Sequence, residues 1–402
     1  WGRGAASGGG RYCVNIYRVH SGDDALAAGV YMYSVITGAW ERLQRHDRTA
    51  ELGELQGHAF HAISYVVLTI DYWRSAFKYN DFAYQATSMD IGTFFGAERE
   101  SLGASGEGSW DMDVDEIGVA QLLGIDAEHE GVYAIQGWGS RTGAQVTGTV
   151  TPAPRSLPRY QRDIEPITFV TTGAMQRDMA IESPQRASSD TVRAVMAPPA
   201  REQSYEGMAR LQARETSFGR FSGASIAREN LHALLDAGRV AAQWALSASS
   251  LRPELAYLVY ANGVDGLAEG LYIERDGELA MLDDGDQAAF LESTYFLQNY
   301  MGRRAACTVI VCAGVIPATL SAGVRGYRLT NAMVGSACQA MLTEAGQRGV
   351  ATGTALGFDA AAHAAHAGID SDELAPMLMI MLGVDIPTTG RVHARITQEV
   401  YA

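Results

Sequence analysis

The feature that most narrows what this 402-residue chain can fold into is a long-range repeat. Tyr65-Val66-Val67-Leu68-Thr69-Ile70 and Thr308-Val309-Ile310-Val311-Cys312-Ala313 are both apolar strand candidates, 243 residues apart. Tyr84-Gln85-Ala86-Thr87 and Tyr327-Arg328-Leu329-Thr330 keep that offset, as do Gly92 and Gly335. Earlier, Ala28-Gly29-Val30-Tyr31 parallels Glu269-Gly270-Leu271-Tyr272 with the offset slightly slipped. Later, Gln121-Leu122-Leu123-Gly124-Ile125-Asp126 parallels either Met379 to Asp385 or Ala367-Gly368-Ile369-Asp370. Each match is weak alone; their shared order carries the inference. A duplicated domain rebuilds inside one chain the two-fold dimer of its ancestor. The expectation is an intrachain pseudo-dimer that can stand as a monomer.

Seven of the eleven prolines fall between Pro152 and Pro199, in a stretch also rich in Ser, Arg and Ala. This divides the chain into a first half at 1–150, a linker or extended arm at 151–205, and a second half at 206–402. Within the arm, Ile167-Thr168-Phe169-Val170 suggests a short strand. Each half reads as α+β. Strands are expected at Tyr12–Tyr17 and Ala256–Tyr260, and helices at Ile226–Ala237 and Asn331–Glu344.

A hydrophobic share of 47% supplies two cores without staples. The four cysteines, Cys13, Cys307, Cys312 and Cys338, form no C-x-x-C pair and have no histidine cluster beside them. They read as reduced, buried thiols of a cytoplasmic protein, and no metal is expected. A formal net charge of -15 argues against nucleic-acid binding. Ala305 to Val324 is uncharged and long enough to span a bilayer. Its Thr308, Gly314, Pro317, Thr319 and Ser321 favour a buried strand and its flank instead, so no membrane span is expected.

Two segments could carry chemistry. Arg214-Glu215-Thr216-Ser217-Phe218-Gly219-Arg220-Phe221-Ser222 precedes a helix. Two arginines and a serine suit a phosphate, because the guanidinium fork, the hydroxyl and nearby backbone N–H groups all donate. A surface loop of solvated arginines is the plainer alternative. The second segment, Trp73 to Tyr84, holds Lys78, the sole lysine among 31 Lys plus Arg, beside Tyr79. Arginine cannot act as a base in a protein, whereas lysine can if burial or a neighbouring cation lowers its pKa. Arg74, one turn away, would act in that direction. Against this stand chance survival of one lysine and an ordinary surface pair with Asp81.

The ordered set of segments resembles the nitroreductase superfamily, and within it the SagB/McbC-type azoline dehydrogenases of ribosomal peptide biosynthesis. Arg214, Ser217 and Arg220 resemble the family's phosphate motif in a variant spacing. Leu246 to Pro253 and Ala6 to Tyr12 resemble its Pro-Ser-Ala-Gly-like turn. Gly29-Val30-Tyr31-Met32-Tyr33 and Gly270-Leu271-Tyr272 resemble the strand that follows. Lys78-Tyr79 resembles its catalytic pair, and Ala355-Leu356-Gly357-Phe358-Asp359 its flavin-contacting turn. The departures are complementary: Ser321-Ala322 stands where the second half would repeat Lys-Tyr, and no phosphate motif is visible in the first half.

The resemblance implies two tandem FMN-dependent nitroreductase-like domains with one working FMN site. The second half would hold the phosphate through Arg214, Ser217 and Arg220, helped by Asn331 and by Arg391 or Arg395. Leu356 and Gly357 would face the ring from one side, and Ser7, Gly8 and Gly9 from the other. Lys78 would be the base, with Tyr79 as its partner or relay, and molecular oxygen would reoxidise the flavin. The implied reaction is thiazoline or oxazoline to azole in a modified precursor peptide, with a cyclodehydratase complex as partner. An NAD(P)H-dependent flavin nitroreductase and a non-catalytic peptide-docking scaffold remain alternatives.

Overall fold

A computed structural model of the chain describes residues 4–57, 61–102, 110–141, 169–181, 201–217, 219–247, 249–297 and 299–387. The first half contains β1 (Val14–His20), β2 (Gly29–Ser34), β3 (Ala39–Gln44), α1 (Thr49–Leu55), β4 (His61–Asp71), α2 (Trp73–Tyr79), α3 (Ala83–Leu102), α4 (Glu116–Leu123) and β5 (Glu130–Arg141). Then come α5 (Val170–Ile181) and α6 (Arg201–Ala213). The second half contains α7 (Arg228–Ala245), β6 (Leu255–Ala261), β7 (Gly270–Arg275), β8 (Glu278–Asp284), α8 (Ala288–Thr294), β9 (Cys307–Ala313), α9 (Val315–Arg348), β10 (Ala351–Ala355), α10 (Ala360–Ala367) and β11 (Ala375–Gly383).

Both halves build the same antiparallel sheet. The first runs β3-β2-β1-β4-β5 and the second β10-β11-β9-β6-β7-β8. The repeat extends to the register: Val14 faces Ile70 in one half, and Leu255 faces Ala313 in the other. It extends to irregularities as well. The β2/β3 ladder slips between Val30 and Tyr31, and the β7/β8 ladder slips at the matching Leu271 and Tyr272. At each slip a glycine is needed, because a Cβ on Gly29 would collide with the Gln44 carbonyl and one on Gly270 with the Asp283 carbonyl. Tyr31 and Tyr272 then donate back to the carbonyls of Ala27 and Ala268.

The ambiguous late repeat is decided by helix caps. Asp115 caps α4 by accepting from Gly118 N, and Asp359 caps α10 by accepting from Ala362 N. Both helices end on a left-handed glycine, Gly124 at φ 75 and Gly368 at φ 64. Gly124-Ile125-Asp126 therefore matches Gly368-Ile369-Asp370, and Met379 to Asp385 is strand β11 and its end.

The halves join through α3 and α9, which cross between the two sheets. A Cβ on Gly92 would land on the Ala332 carbonyl, and one on Gly335 would land on the Met89 carbonyl. Ala332 and Met89 are themselves counterparts at the 243 offset, so the contact is isologous, as in a two-fold dimer. Tyr84 and Tyr327, also counterparts, meet with ring centroids 6.1 Å apart. One connected apolar core runs from Leu68, Ile70 and Phe95 across α3 and α9 to Val309 and Ile380.

Two regions lie outside the repeat. The described residues contain no first-half counterpart of α7, which packs its Leu231, Leu234, Ala241 and Ala245 face onto α9. A groove of about 390 Å³ bordered by Ile16, Tyr33, Thr93 and Phe94 lies in the matching position. The stretch expected to be an extended arm carries α5 and the start of α6. Val170 begins α5, so the strand expected at 167–170 is absent at its described end; Ile167 and Thr168 lie outside the described residues. Asp81 explains the helix, because its carboxylate accepts from the backbone N of Thr171 and Thr172 in the first turn. No described helix is long and apolar enough to cross a membrane, and all four cysteines are buried thiols.

Candidate functional site

Lys78 and Tyr79 occupy the last turn of α2, where the chain breaks before α3. The break is forced by Asn80, held at φ 49 and ψ -137. The second half makes the same break inside α9, at Gly323 with φ 61 and ψ -149. Glycine adopts this conformation without a Cβ clash; asparagine is strained in it. The kink leaves Lys78 exposed and Tyr79 half-buried at the seam between the halves.

Opposite them lies the turn Ser7–Arg11. Gly9 and Gly10 are left-handed, at φ 58 and φ 65. A Cβ built on Gly9 would fall 2.5 Å from the Tyr79 hydroxyl and closer still to Lys78 Nζ. The turn is clamped from α3 by Asp90, which accepts from Ser7 Oγ at 2.6 Å and from Gly8 N at 2.8 Å. The segment before it is tied to the second half: Gly4 O accepts from Arg214 Nε and Gln339 Nε2, each at 3.0 Å, and Ala6 N donates to Gln339 Oε1 at 2.8 Å.

The second half approaches the same seam through Tyr300. This ring packs on Gly353 of β10, with Gly219 beside it, and runs parallel to Tyr295, centroids 6.0 Å apart. Burial raises the Tyr300 phenol, and nearby Tyr79 raises it further. Tyr295 bridges to Phe358, and Phe296 N donates to Gly357 O at 3.0 Å, so the Leu356–Gly357 turn is held by the segment leading to Tyr300.

Among the expected site residues, Ser7, Gly8, Gly9, Lys78 and Tyr79 therefore come together. The two neighbours weighed for Lys78 have partners of their own. Arg74 pairs with Asp71 at 3.2 Å, and Asp81 caps α5. Lys78 instead sits over the Tyr79 ring, 5.1 Å from its centroid. The Arg214–Arg220 loop is more engaged than its sequence suggests. Ser217 Oγ donates to Asp385 at 2.5 Å, and its backbone N pairs with Thr352 O. Arg214 spans to Gly4 and to Thr216 Oγ1, while Arg220 is exposed. Asn331 is buried on α9, and its Nδ2 donates to Tyr327 O. Arg391 and Arg395 lie outside the described residues.

Two contributors were not anticipated. Tyr300 gave no signal, because its loop has no repeat and no motif. Asp90 did give one: a carboxylate between Met89 and Ile91 on α3, at the position where the other half has Met333.

The other seam, related by the pseudo-two-fold, is filled. The counterparts of Leu356, Gly357 and Phe358 are Met112, Asp113 and Val114. Arg325 donates to the carbonyls of Met112 and Val114 at 3.3 and 3.2 Å and pairs with Asp113 at 3.3 Å. Beside it Arg328, 2% exposed, pairs with Glu116 and donates to Tyr84, Tyr72 and Gln176 of α5. Among the described residues no cluster could hold a metal ion.

A protein-family model described as "Nitroreductase family" matches residues 213–384. No match was found among curated protein sequences. Among solved structures, a putative nitroreductase from Anabaena variabilis superposes with TM-score 0.72 at 21% identity, covering 96% of this chain and 82% of that one. A putative nitroreductase from Ralstonia eutropha gives TM-score 0.35 at 13% identity, over 45% of this chain and 83% of that one. The E. coli microcin synthetase McbBCD complex with truncated pro-MccB17 bound gives TM-score 0.35 at 15% identity, over 56% and 84%. The last two values are too low to bear on the assignment. The chain has the nitroreductase fold over both halves, and its residues 213–384 match the nitroreductase family itself.

Proposed function

We propose that the chain is an FMN-dependent dehydrogenase that oxidises azoline rings to azoles in a ribosomally made, modified peptide, with a cyclodehydratase complex supplying the azoline. The observation that carries the reading is the meeting of Lys78, Tyr79 and Gly9 at a seam that the second half also reaches. Members of the matched family are flavin-dependent oxidoreductases. The residues at this seam suit a flavin mononucleotide. The glycine turn offers bare backbone where a Cβ would fill the space, and the exposed Arg220 guanidinium forms no ion pair among the described residues.

Arg214 and Arg220 would face the phosphate, Leu356 and Gly357 the ring from the second half, and Ser7, Gly8 and Gly9 the ring from the first. Bound there, FMN supplies the acceptor for the hydride that leaves the azoline. Lys78 takes the other hydrogen as a proton, so that two hydrogens and two electrons leave adjacent ring atoms. Lys78 is exposed in the chain itself, and a substrate bound at the seam would cover it. The Tyr79 hydroxyl sits on the same side of the turn and passes that proton outward.

Lys78→Arg tests the assignment, because it keeps the charge and removes the ability to take a proton. The variant is expected to hold FMN as the parent does and to lose the mass change of two hydrogens on an azoline peptide. Normal turnover by Lys78→Arg would overturn the base assignment. Flavin released from the pure protein is expected at one per chain; two equally occupied sites would remove the single-seam reading.

A further inference from the structure

We infer that Asp90 is the positioning residue of this seam: from the central helix α3 it holds the Ser7–Gly10 turn in the conformation that meets Lys78, Tyr79 and the cofactor. The inference rests on the reading of the seam as the reaction site. Asp90 is 6% exposed and has no cation pair among the described residues. One carboxylate oxygen takes Gly8 N, and the other takes Ser7 Oγ at 2.6 Å and lies 3.4 Å from Cys13 Sγ. Ser7 Oγ in turn accepts from Tyr12 N at 2.9 Å, so the carboxylate fixes both ends of the turn. Tyr12 is itself left-handed, at φ 50, a conformation that needs outside support.

Burial without a counter-charge is costly, and it raises the Asp90 carboxyl to about 6. The second half shows that the fold does not require this. There α9 carries Met333 at the matching position, and the matching turn closes through Ser249 N to Leu246 O at 2.9 Å and Leu251 N to Ser249 Oγ at 3.0 Å. The carboxylate occurs in the half that presents Lys78 and Tyr79, and is missing from the half that presents Ser321 and Ala322.

Asp90→Met installs the residue that the other half uses, and Asp90→Asn keeps the size while replacing one acceptor by a donor. Hydrogen–deuterium exchange of the flavin-free chain reads the turn directly. Both variants are expected to exchange at Gly8 and Tyr12 at least tenfold faster than the parent, with α3 and the sheets unchanged. Titration with FMN is then expected to show at least tenfold weaker binding and an altered visible spectrum at saturation, with Asp90→Asn the milder of the two. Unchanged exchange and unchanged FMN affinity in a folded Asp90→Met would overturn the inference. If the parent itself takes up no FMN, the flavin reading fails instead, and the exchange result still decides whether Asp90 holds the turn.

Discussion

At one seam Lys78 and Tyr79 stand beside a bare glycine turn. At the other, Ser321 and Ala322 take their places, and Arg325 and Arg328 reach into the space behind them. The counterparts of those arginines at the first seam are Phe82, 39% exposed, and Gln85, neither of them charged. Asp113 and Glu116 of the filled seam correspond to Gly357 and Ala360 of the open one. One ancestral plan has thus been resolved in two directions. At the first seam the positions matching Arg325 and Arg328 carry no charge. At the second, buried arginines bonded to carbonyls and carboxylates of the other half fill the gap and join the halves. A buried pair adds little net stability compared with apolar packing, but it is demanding of geometry and penalises a displaced partner.

The largest effect is expected from breaking that lock. Arg328→Ala removes the cation paired with the buried Glu116 and leaves only the weaker attraction of Arg325, a loss of about 3–5 kcal/mol in stability. A urea midpoint within error of the parent would mean that the filled seam holds nothing. Next come the crossing glycines. Gly92→Ala and Gly335→Ala each drive a methyl into a helix backbone, at a cost of about 1–3 kcal/mol. Because the contact is isologous, the two losses should be similar; a clear inequality would break the symmetry claim.

A smaller effect depends on pH. Burial raises Glu98 to about 7, while its counterpart in α9 is Met341. The folded carboxyl binds its proton more tightly than the unfolded one. Its contribution is therefore favourable at low pH and is lost as pH rises from about 4.5 through 7. His363, lowered to about 4 by burial, works oppositely between about 4 and 6.5. Glu98→Met should remove only the first trend, so the variant gains on the parent as pH rises; equal pH profiles would show that Glu98 does not titrate there. The smallest effect concerns the shared kink. Asn80→Gly adopts the residue of the second half and should stabilise by about 0.5–1 kcal/mol, since relief of strain outweighs the added freedom of the unfolded chain. A loss of stability would show that the Asn80 side chain contributes more than its backbone strain costs.

Much of this was legible in the sequence because duplication writes the fold twice. Tyr65–Ile70 and Thr308–Ala313 identified the two central strands, and Gly92 and Gly335 shared their offset; that these glycines mark the helix crossing shows only in the structure. Lys78 stood out because it is the sole lysine in the chain. Helices α5 and α6 were not legible, since the stretch is rich in proline and serine and a cap such as Asp81 comes from far away in sequence. Ser217 could not be seen to donate to Asp385, nor Arg214 to reach Gly4, because those partners lie 168 and 210 residues away.

The sequence by itself determined the two α+β halves and their order, because the apolar strand segments and the motifs that follow them are local and occur twice. Tertiary structure alone decided which seam the buried arginines fill. That depends on where the side chains of α3 and α9 project once the helices cross, on Arg325 and Arg328 finding carbonyls and carboxylates in the other half, and on Asp90 holding the Ser7–Gly8 turn while Tyr300 comes near Tyr79. Such contacts join residues with no spacing in common, so no local pattern could encode them.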